Sequence, residues 1–283
     1  MPPDERAVSF PCGDDWLIGI VSLPPRPRPA VRGVVIVVGG PQVRTGSHRQ
    51  FTLLARALAA AGTPVLRFDY RGMGDSDGAQ RGFDTVDADL RAAIDCFQRE
   101  VPGLQDVVLW GLCDGAAASA LYAPQDARVR GLVLLNPWVR TEEGQARATL
   151  KHYYRDRLLD PALWKKIAQG RFNPLHAAKS FAGVARRALL PASDQPAPEC
   201  GQALPERLHA SLQRFNGRVL VLLSGADLTA QEFSVVAEAP HWRSLMDDSR
   251  FTQHTLARAD HTFSRRAWHE QMTAWTVEWV AAA

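Results

Sequence analysis

The sequence predicts an α/β fold: a mostly parallel central sheet with helices on both faces, interrupted by an inserted helical segment. Three observations carry that prediction. Apolar runs of strand length recur at residues 33–38, 64–68, 107–112, 130–136 and 218–223, and such unbroken runs mark strands buried on both faces. Segments with helical periodicity alternate with them, as they do when a parallel sheet is wound with crossover helices. The rhythm stops between about residues 138 and 212, where no strand-like run occurs. The chain therefore divides into a core of residues 1–137 and 213–283 and a helical cap or lid of residues 138–212.

Taken in order, the apolar stretches 7–10 and 16–21, separated by Pro11-Cys12-Gly13-Asp14-Asp15, predict a hairpin. The proline-rich residues 24–29 form an extended connector. Residues 33–38 give the first central strand, which runs into Gly39-Gly40-Pro41-Gln42. A helix over 47–61 follows, with Phe51, Leu54, Ala55 and Leu58 on one face and Gly62 at its end. Strand 64–68 leads to the polar, glycine-rich loop 69–78, and Val86, Leu90, Ala93 and Phe97 place the next helix at about 84–99.

The run 107–112 then ends in Gly111-Leu112-Cys113-Asp114-Gly115 before an alanine-rich helix, and 130–136 is a further buried strand. Within the cap, helical stretches near 148–158 and 161–169 carry Tyr153, Tyr154 and Trp164 among lysines and arginines, a pattern that packs its apolar side on the sheet edge. Strands return at 218–223 and 251–256. A terminal helix sets Trp268, Met272, Trp275 and Trp279 on the face that meets the sheet.

The chain of 283 residues carries 33 basic and 30 acidic side chains, a net charge of +3, with no dominant Lys/Arg block, so nucleic acid is excluded as a partner. The start, Met1-Pro2-Pro3-Asp4-Glu5-Arg6, lacks the form of a secretory signal, and the apolar runs are too short to span a bilayer. The expectation is a cytoplasmic protein without stable membrane insertion. Cys12, Cys96, Cys113 and Cys200 are scattered, which argues against a disulfide framework or zinc site and suits a reducing compartment. No cofactor is expected.

Gly-x-Cys-x-Gly at a strand-to-helix turn is the pattern of a nucleophile elbow, where glycines remove the clashes of a sharp turn. The same five residues also suit an ordinary tight turn around a small buried cysteine. The partners decide between the two. A nucleophile needs a base, and a histidine base needs a third group to fix its tautomer. Asp227 follows strand 218–223 and His261 follows strand 251–256, so both lie beyond strand carboxyl ends, where an open α/β sheet builds its sites.

The alternatives are Glu232 as the acid, and less directly Glu142 or Glu143. His48 reads as a helix cap or surface contact, the remaining histidines as structural or exposed, and Asp260 as a turn-shaping neighbour of His261. An oxyanion hole would use the Asp114 N–H and one from the 39–42 loop. Pro41 has no N–H, so Gln42 is the leading donor and Gly40 the alternative; Trp138 and Gly40 would line the substrate pocket.

The order Cys113, Asp227, His261 is that of α/β-hydrolases, and the chain resembles that superfamily over nearly its whole length. The resemblance rests on Gly111 to Gly115, on Asp69-x-Arg71-Gly72-x-Gly74-x-Ser76, on Gly225-x-Asp227 and on Asp260-His261-x-Phe263. Cysteine at the elbow resembles dienelactone hydrolase, with Ala116 where that family usually has a second glycine. More narrowly, Gly39-Gly40-Pro41-Gln42-x-Arg44-x-Gly46-Ser47-His48-Arg49-Gln50-Phe51, together with residues 68–76 and Gly111-Leu112-Cys113-Asp114, resembles the first of the hydrolases associated with the exosortase A system. That resemblance implies a bacterial hydrolase accompanying exopolysaccharide and protein-sorting clusters, and it fixes no substrate.

The expected activity is hydrolysis of a small-molecule ester or thioester through an acyl-cysteine. A thiolate is the stronger nucleophile and the better leaving group, which favours activated acyl donors over amides. An acyltransferase with the same triad, and a non-catalytic partner protein that binds an acyl or saccharide ligand, stand as alternatives.

Overall fold

The computed structural model describes residues 3–25, 31–40, 42–139 and 202–282. An antiparallel hairpin of β1 (Asp4–Cys12) and β2 (Asp15–Leu23) opens it. The strands β3 (Arg32–Val37), β4 (Val65–Asp69), β5 (Asp106–Leu112), β6 (Val129–Leu135), β7 (Arg218–Ser224) and β8 (Phe251–Leu256) complete a sheet of order β1-β2-β4-β3-β5-β6-β7-β8. β2 runs antiparallel to β4, and every pairing from β4 to β8 is parallel. The parallel arrangement matters for function, because it brings the carboxyl ends of β3, β5, β6, β7 and β8 to one edge.

Helices α1 (Gln50–Ala60), α2 (Asp87–Glu100), α3 (Asp114–Tyr122), α4 (Leu204–Arg214), α5 (Leu228–Ala237), α6 (Pro240–Met246) and α7 (Arg266–Ala282) cover the sheet. α1 packs against α7, while α3 packs against α2 and α4. The residues predicted to face inward do so: Phe51, Leu54, Ala55 and Leu58 of α1 and Val86, Leu90, Ala93 and Phe97 at α2 are all buried. On α7, Met272 and Trp279 are buried, and Trp275 stacks on His254 of β8 with ring centroids 4.7 Å apart.

Two elements depart from the sequence expectation. The helix predicted from residue 47 begins at Gln50, because Ser47–Arg49 forms a 3-10 turn with His48 and Arg49 at φ of 53° and 62°. Loop hydrogen bonds hold that turn, with Arg49 N–H donating to Gly46 O at 3.2 Å and Thr52 N–H to Thr45 O at 3.4 Å, so α1 starts only after them. At the other end, residues 204–212 of the expected cap lie in α4. Its Leu208 and Leu212 are buried and its Ser211 hydroxyl donates to Ala120 O of α3 at 2.8 Å, which ties this helix to the sheet-covering layer. Residues 140–201 of the cap, including the stretches near 148–158 and 161–169, Glu142 and Glu143, lie outside the described residues. Among the described residues no helix is long and apolar enough to cross a membrane.

Candidate active site

β5 delivers Cys113 to the sheet edge in a backbone conformation, φ 60° and ψ −122°, that a residue with a side chain rarely adopts. Such geometry costs on the order of 1–3 kcal/mol and persists only where neighbours hold it. The neighbours here are specific: Cys113 N–H donates to Leu135 O at 2.9 Å, and Cys113 O accepts from Trp138 N–H and Ala116 N–H, each at 3.1 Å. The flanking glycines answer a packing demand. A β-carbon on Gly111 would lie 2.4 Å from Gly115 O, and one on Gly115 would lie 2.5 Å from Val37 O of β3.

β7 and β8 supply the partners. His261 Nδ1 and Asp227 Oδ2 are 2.9 Å apart, and the imidazole also hydrogen-bonds Cys113. Asp227 also caps α5, its Oδ2 accepting from Ala230 N–H at 3.0 Å, so the helix fixes the carboxylate that fixes the histidine. Burial works against charge on His261. The hydrogen bonds and charges of Asp227 and Cys113 outweigh it and push the imidazole up to about 10. The other described cysteines have no such partner: Cys12 and Cys96 are buried, and burial pushes the Cys96 thiol up to about 11.

The sequence reading missed Asn136, at the end of β6. It is buried with φ 46°, a conformation that asparagine tolerates better than most residues. Its Oδ1 accepts from Ser224 N–H at 2.8 Å, while its Nδ2 donates to Ser224 Oγ at 2.9 Å and His261 O at 3.0 Å. Ser224 Oγ in turn donates to Asp260 O at 2.8 Å. This amide–hydroxyl pair holds the backbone that presents His261, which makes Asn136 a positioning residue. Asn136→Ala is expected to lower stability by about 1–3 kcal/mol through unpaired buried groups. It should also lower kcat by roughly 10- to 100-fold through a displaced imidazole, with KM little changed. Denaturant melts and steady-state kinetics check both.

The remaining predicted positions sort clearly. Gln42 N–H turns toward Gly39 O at 3.4 Å, closing a loop turn, and the Asp114 carboxyl accepts from Gly115 N–H at 3.1 Å. Trp138 sits beside the elbow through its N–H on Cys113 O. Glu232 is buried on α5, and the His261 ring takes Asp227 instead.

Loop 69–78 is a brace. Arg44 pairs with Asp69 and Asp75, Arg71 N–H and guanidinium both bind Asp89, and Ser76 Oγ donates to Asp69 O at 2.6 Å. His48 lies on a cavity of about 840 Å³ between α1 and α7, lined also by Leu53, Phe263, His269 and Val277, which lies beside the His261 loop and is not lined by Cys113, Asp227 or His261. Among the described residues no cluster of His, Cys, Asp and Glu is arranged to hold a metal ion.

This sheet, with a turn of elbow geometry after β5 and a hydrogen-bonded His–Asp pair beyond β7 and β8, defines an α/β-hydrolase. The chain belongs to the hydrolase family described as serine aminopeptidase S33, matched over residues 29–178. In this chain the elbow residue is Cys113.

Among solved structures it is similar to the esterase Pf2001 of Pyrococcus furiosus, with 14% identity and a TM-score of 0.66, covering 99% of this chain and 91% of that one. It is also similar to Est1E of Butyrivibrio proteoclasticus with bound ferulic acid, at 14% identity and a TM-score of 0.63, covering 98% of each chain. A third is the dienelactone hydrolase of Anabaena variabilis, at 15% identity and a TM-score of 0.61, covering 100% of this chain and 99% of that one. At such identities the likeness is one of fold. No curated protein matches the chain in sequence.

Proposed function

We propose that the protein hydrolyses a small-molecule ester or thioester through a covalent acyl-cysteine. The observation that carries this reading is the hydrogen-bonded series Asp227–His261–Cys113 ending on a strained elbow residue. His261 takes the Cys113 proton and the thiolate attacks the acyl carbonyl. The tetrahedral oxyanion then collapses as His261 returns that proton to the departing alkoxide or thiolate. Water, deprotonated by His261, releases the carboxylic acid and restores the thiol. Asp227 stabilises the imidazolium formed in each half-reaction.

The oxyanion donors in this reading are the N–H groups of Asp114 and Gly40, since Gln42 N–H is engaged with Gly39 O. Trp138 lines the acyl side. The esterase neighbours support an ester substrate, and the resemblance to exosortase A-associated hydrolases supports a role beside bacterial exopolysaccharide and sorting systems, with the enzyme kept reduced in the cytoplasm. The cysteine tip also favours a second reading, acyl transfer to an alcohol or amine, because a thioester intermediate retains more transfer potential than an oxygen ester.

The test is a mixed library of p-nitrophenyl esters and acyl-CoA thioesters, followed by peptide mass spectrometry. An acyl adduct on the Cys113 peptide is expected. Turnover that continues after Cys113 is blocked with iodoacetamide would rule the mechanism out, and added acceptor alcohols distinguish transferase from hydrolase by their products.

A further inference from the structure

The loop that follows β3 is fixed at two points. At its start Gly39 lies against the elbow, where a β-carbon would stand 2.5 Å from Leu112 O and 2.7 Å from Gly115 N. At its far end Arg44 is held through backbone and side chain alike. Its N–H donates to Asp69 Oδ1 at 2.5 Å, its guanidinium bridges Asp69 Oδ2 and Asp75, and its carbonyl accepts from Arg67 Nη1 at 3.3 Å. Asp69 ends β4 and is fully buried, and Gly74 closes over it so tightly that a β-carbon there would stand 2.2 Å from Asp69 Oδ2. Arg67, also on β4 and buried, is held in turn by Glu5 of β1 at 3.1 Å.

Both oxygens of a carboxylate shut away from water thus bind one loop residue, one through its backbone and one through its side chain. A buried charge left without its partner is costly, so Asp69 admits Arg44 in one place only. Between the two anchors lies Gly40, at φ 56°, whose N–H the catalytic reading assigns to the reacting oxygen. A glycine backbone has the widest choice of conformations, and a donor serves an oxyanion best when it is already aimed.

We propose that Asp69 is a positioning residue for the oxyanion hole: through Arg44 it fixes the loop after β3, and with it the aim of the Gly40 N–H at the carbonyl oxygen of the substrate. The proposal rests on Cys113 being the nucleophile. Asp69 then matters only where charge develops on that oxygen, which separates two reactions of the same thiol. Acylation by p-nitrophenyl acetate passes through a tetrahedral oxyanion. Alkylation by iodoacetamide forms the S–C bond as iodide leaves and develops no oxyanion.

Asp69→Asn keeps the shape and removes the charge that holds the guanidinium. It is expected to lower kcat on p-nitrophenyl acetate by about 10- to 100-fold with KM little changed, and to leave the rate constant for alkylation of Cys113 unchanged. Arg44→Met should repeat that split, and Arg44→Lys should recover part of the loss, since lysine keeps the charge without the fork. Arg44 is partly exposed, so this pair carries the test if the buried substitution unfolds the chain. Thermal melts establish that each variant is folded. Any other pattern in folded variants, such as equal losses in acylation and alkylation or no loss in either, overturns the proposal. Turnover by the parent that survives alkylation of Cys113 refutes the nucleophile assignment instead, and the proposal falls with it.

Discussion

Cys113→Ala is expected to lower kcat on p-nitrophenyl esters by on the order of 10⁵-fold, to near the uncatalysed background. Alanine retains the β-carbon, so the backbone at φ 60° meets the same steric cost, and the hydrogen bonds from Cys113 N–H to Leu135 O and from Trp138 N–H to Cys113 O remain available. The fold should therefore survive, and the loss should be confined to chemistry. Neither Cys12 nor Cys96 can take over, because both are buried and burial raises both thiols above their ordinary value. Initial rates measured beside thermal melts check the prediction, and a folded variant with undiminished turnover would sink it.

Asp227→Asn is expected to lower kcat by about 10⁴-fold. Asparagine preserves the cap on α5, since it serves that position as well as aspartate does, so a structural collapse is not expected. What changes is the group facing His261 Nδ1, 2.9 Å away in the parent. An amide offers no charge to hold the imidazolium and can present N–H where the ring needs an acceptor.

The His261 titration, followed by NMR, should fall from about 10, because burial still disfavours the imidazolium while the hydrogen bond and charge of Asp227 are lost. The linked effect on stability has a fixed sign. A histidine raised from 6.5 to about 10 on folding contributes stability that is fully present below pH 6.5 and is lost as pH rises through about 10. The stability gap between parent and variant should therefore narrow between pH 7 and 10 in denaturant melts.

That Cys113, Asp227 and His261 meet at one sheet edge was legible because each is marked locally and the topology does the assembly. Gly111 and Gly115 flag the turn, Asp227 and His261 follow strand-like runs, and a parallel sheet carries all strand carboxyl ends to one edge, so linear order was enough. Asn136 was not legible for the converse reason. Its partners Ser224 and His261 lie 88 and 125 residues away, and their proximity depends on β6 pairing with β7, which no local pattern states.

The oxyanion loop fell between these cases. Its place after β3 was legible, but the turn that draws Gln42 N–H onto Gly39 O and the closeness of the Asp114 carboxyl to Gly39 depend on packing that no local pattern states. The start of α1 was misplaced because helical periodicity at 51–58 says nothing of the loop bonds that keep residues 47–49 out of the helix.

The strand order also bears on how the molecule is made. β5 and its neighbours β3 and β6 all precede residue 136, whereas the carboxylate and the imidazole arrive with β7 and β8, the last strands of the chain. Synthesis from Cys113 to His261 takes on the order of ten seconds. Through that interval the nascent thiol has no imidazole to deprotonate it. In the proposed mechanism it becomes reactive only when β8 and α7 have closed the far edge, so translation itself would delay the arming of the cysteine until β8 has been made.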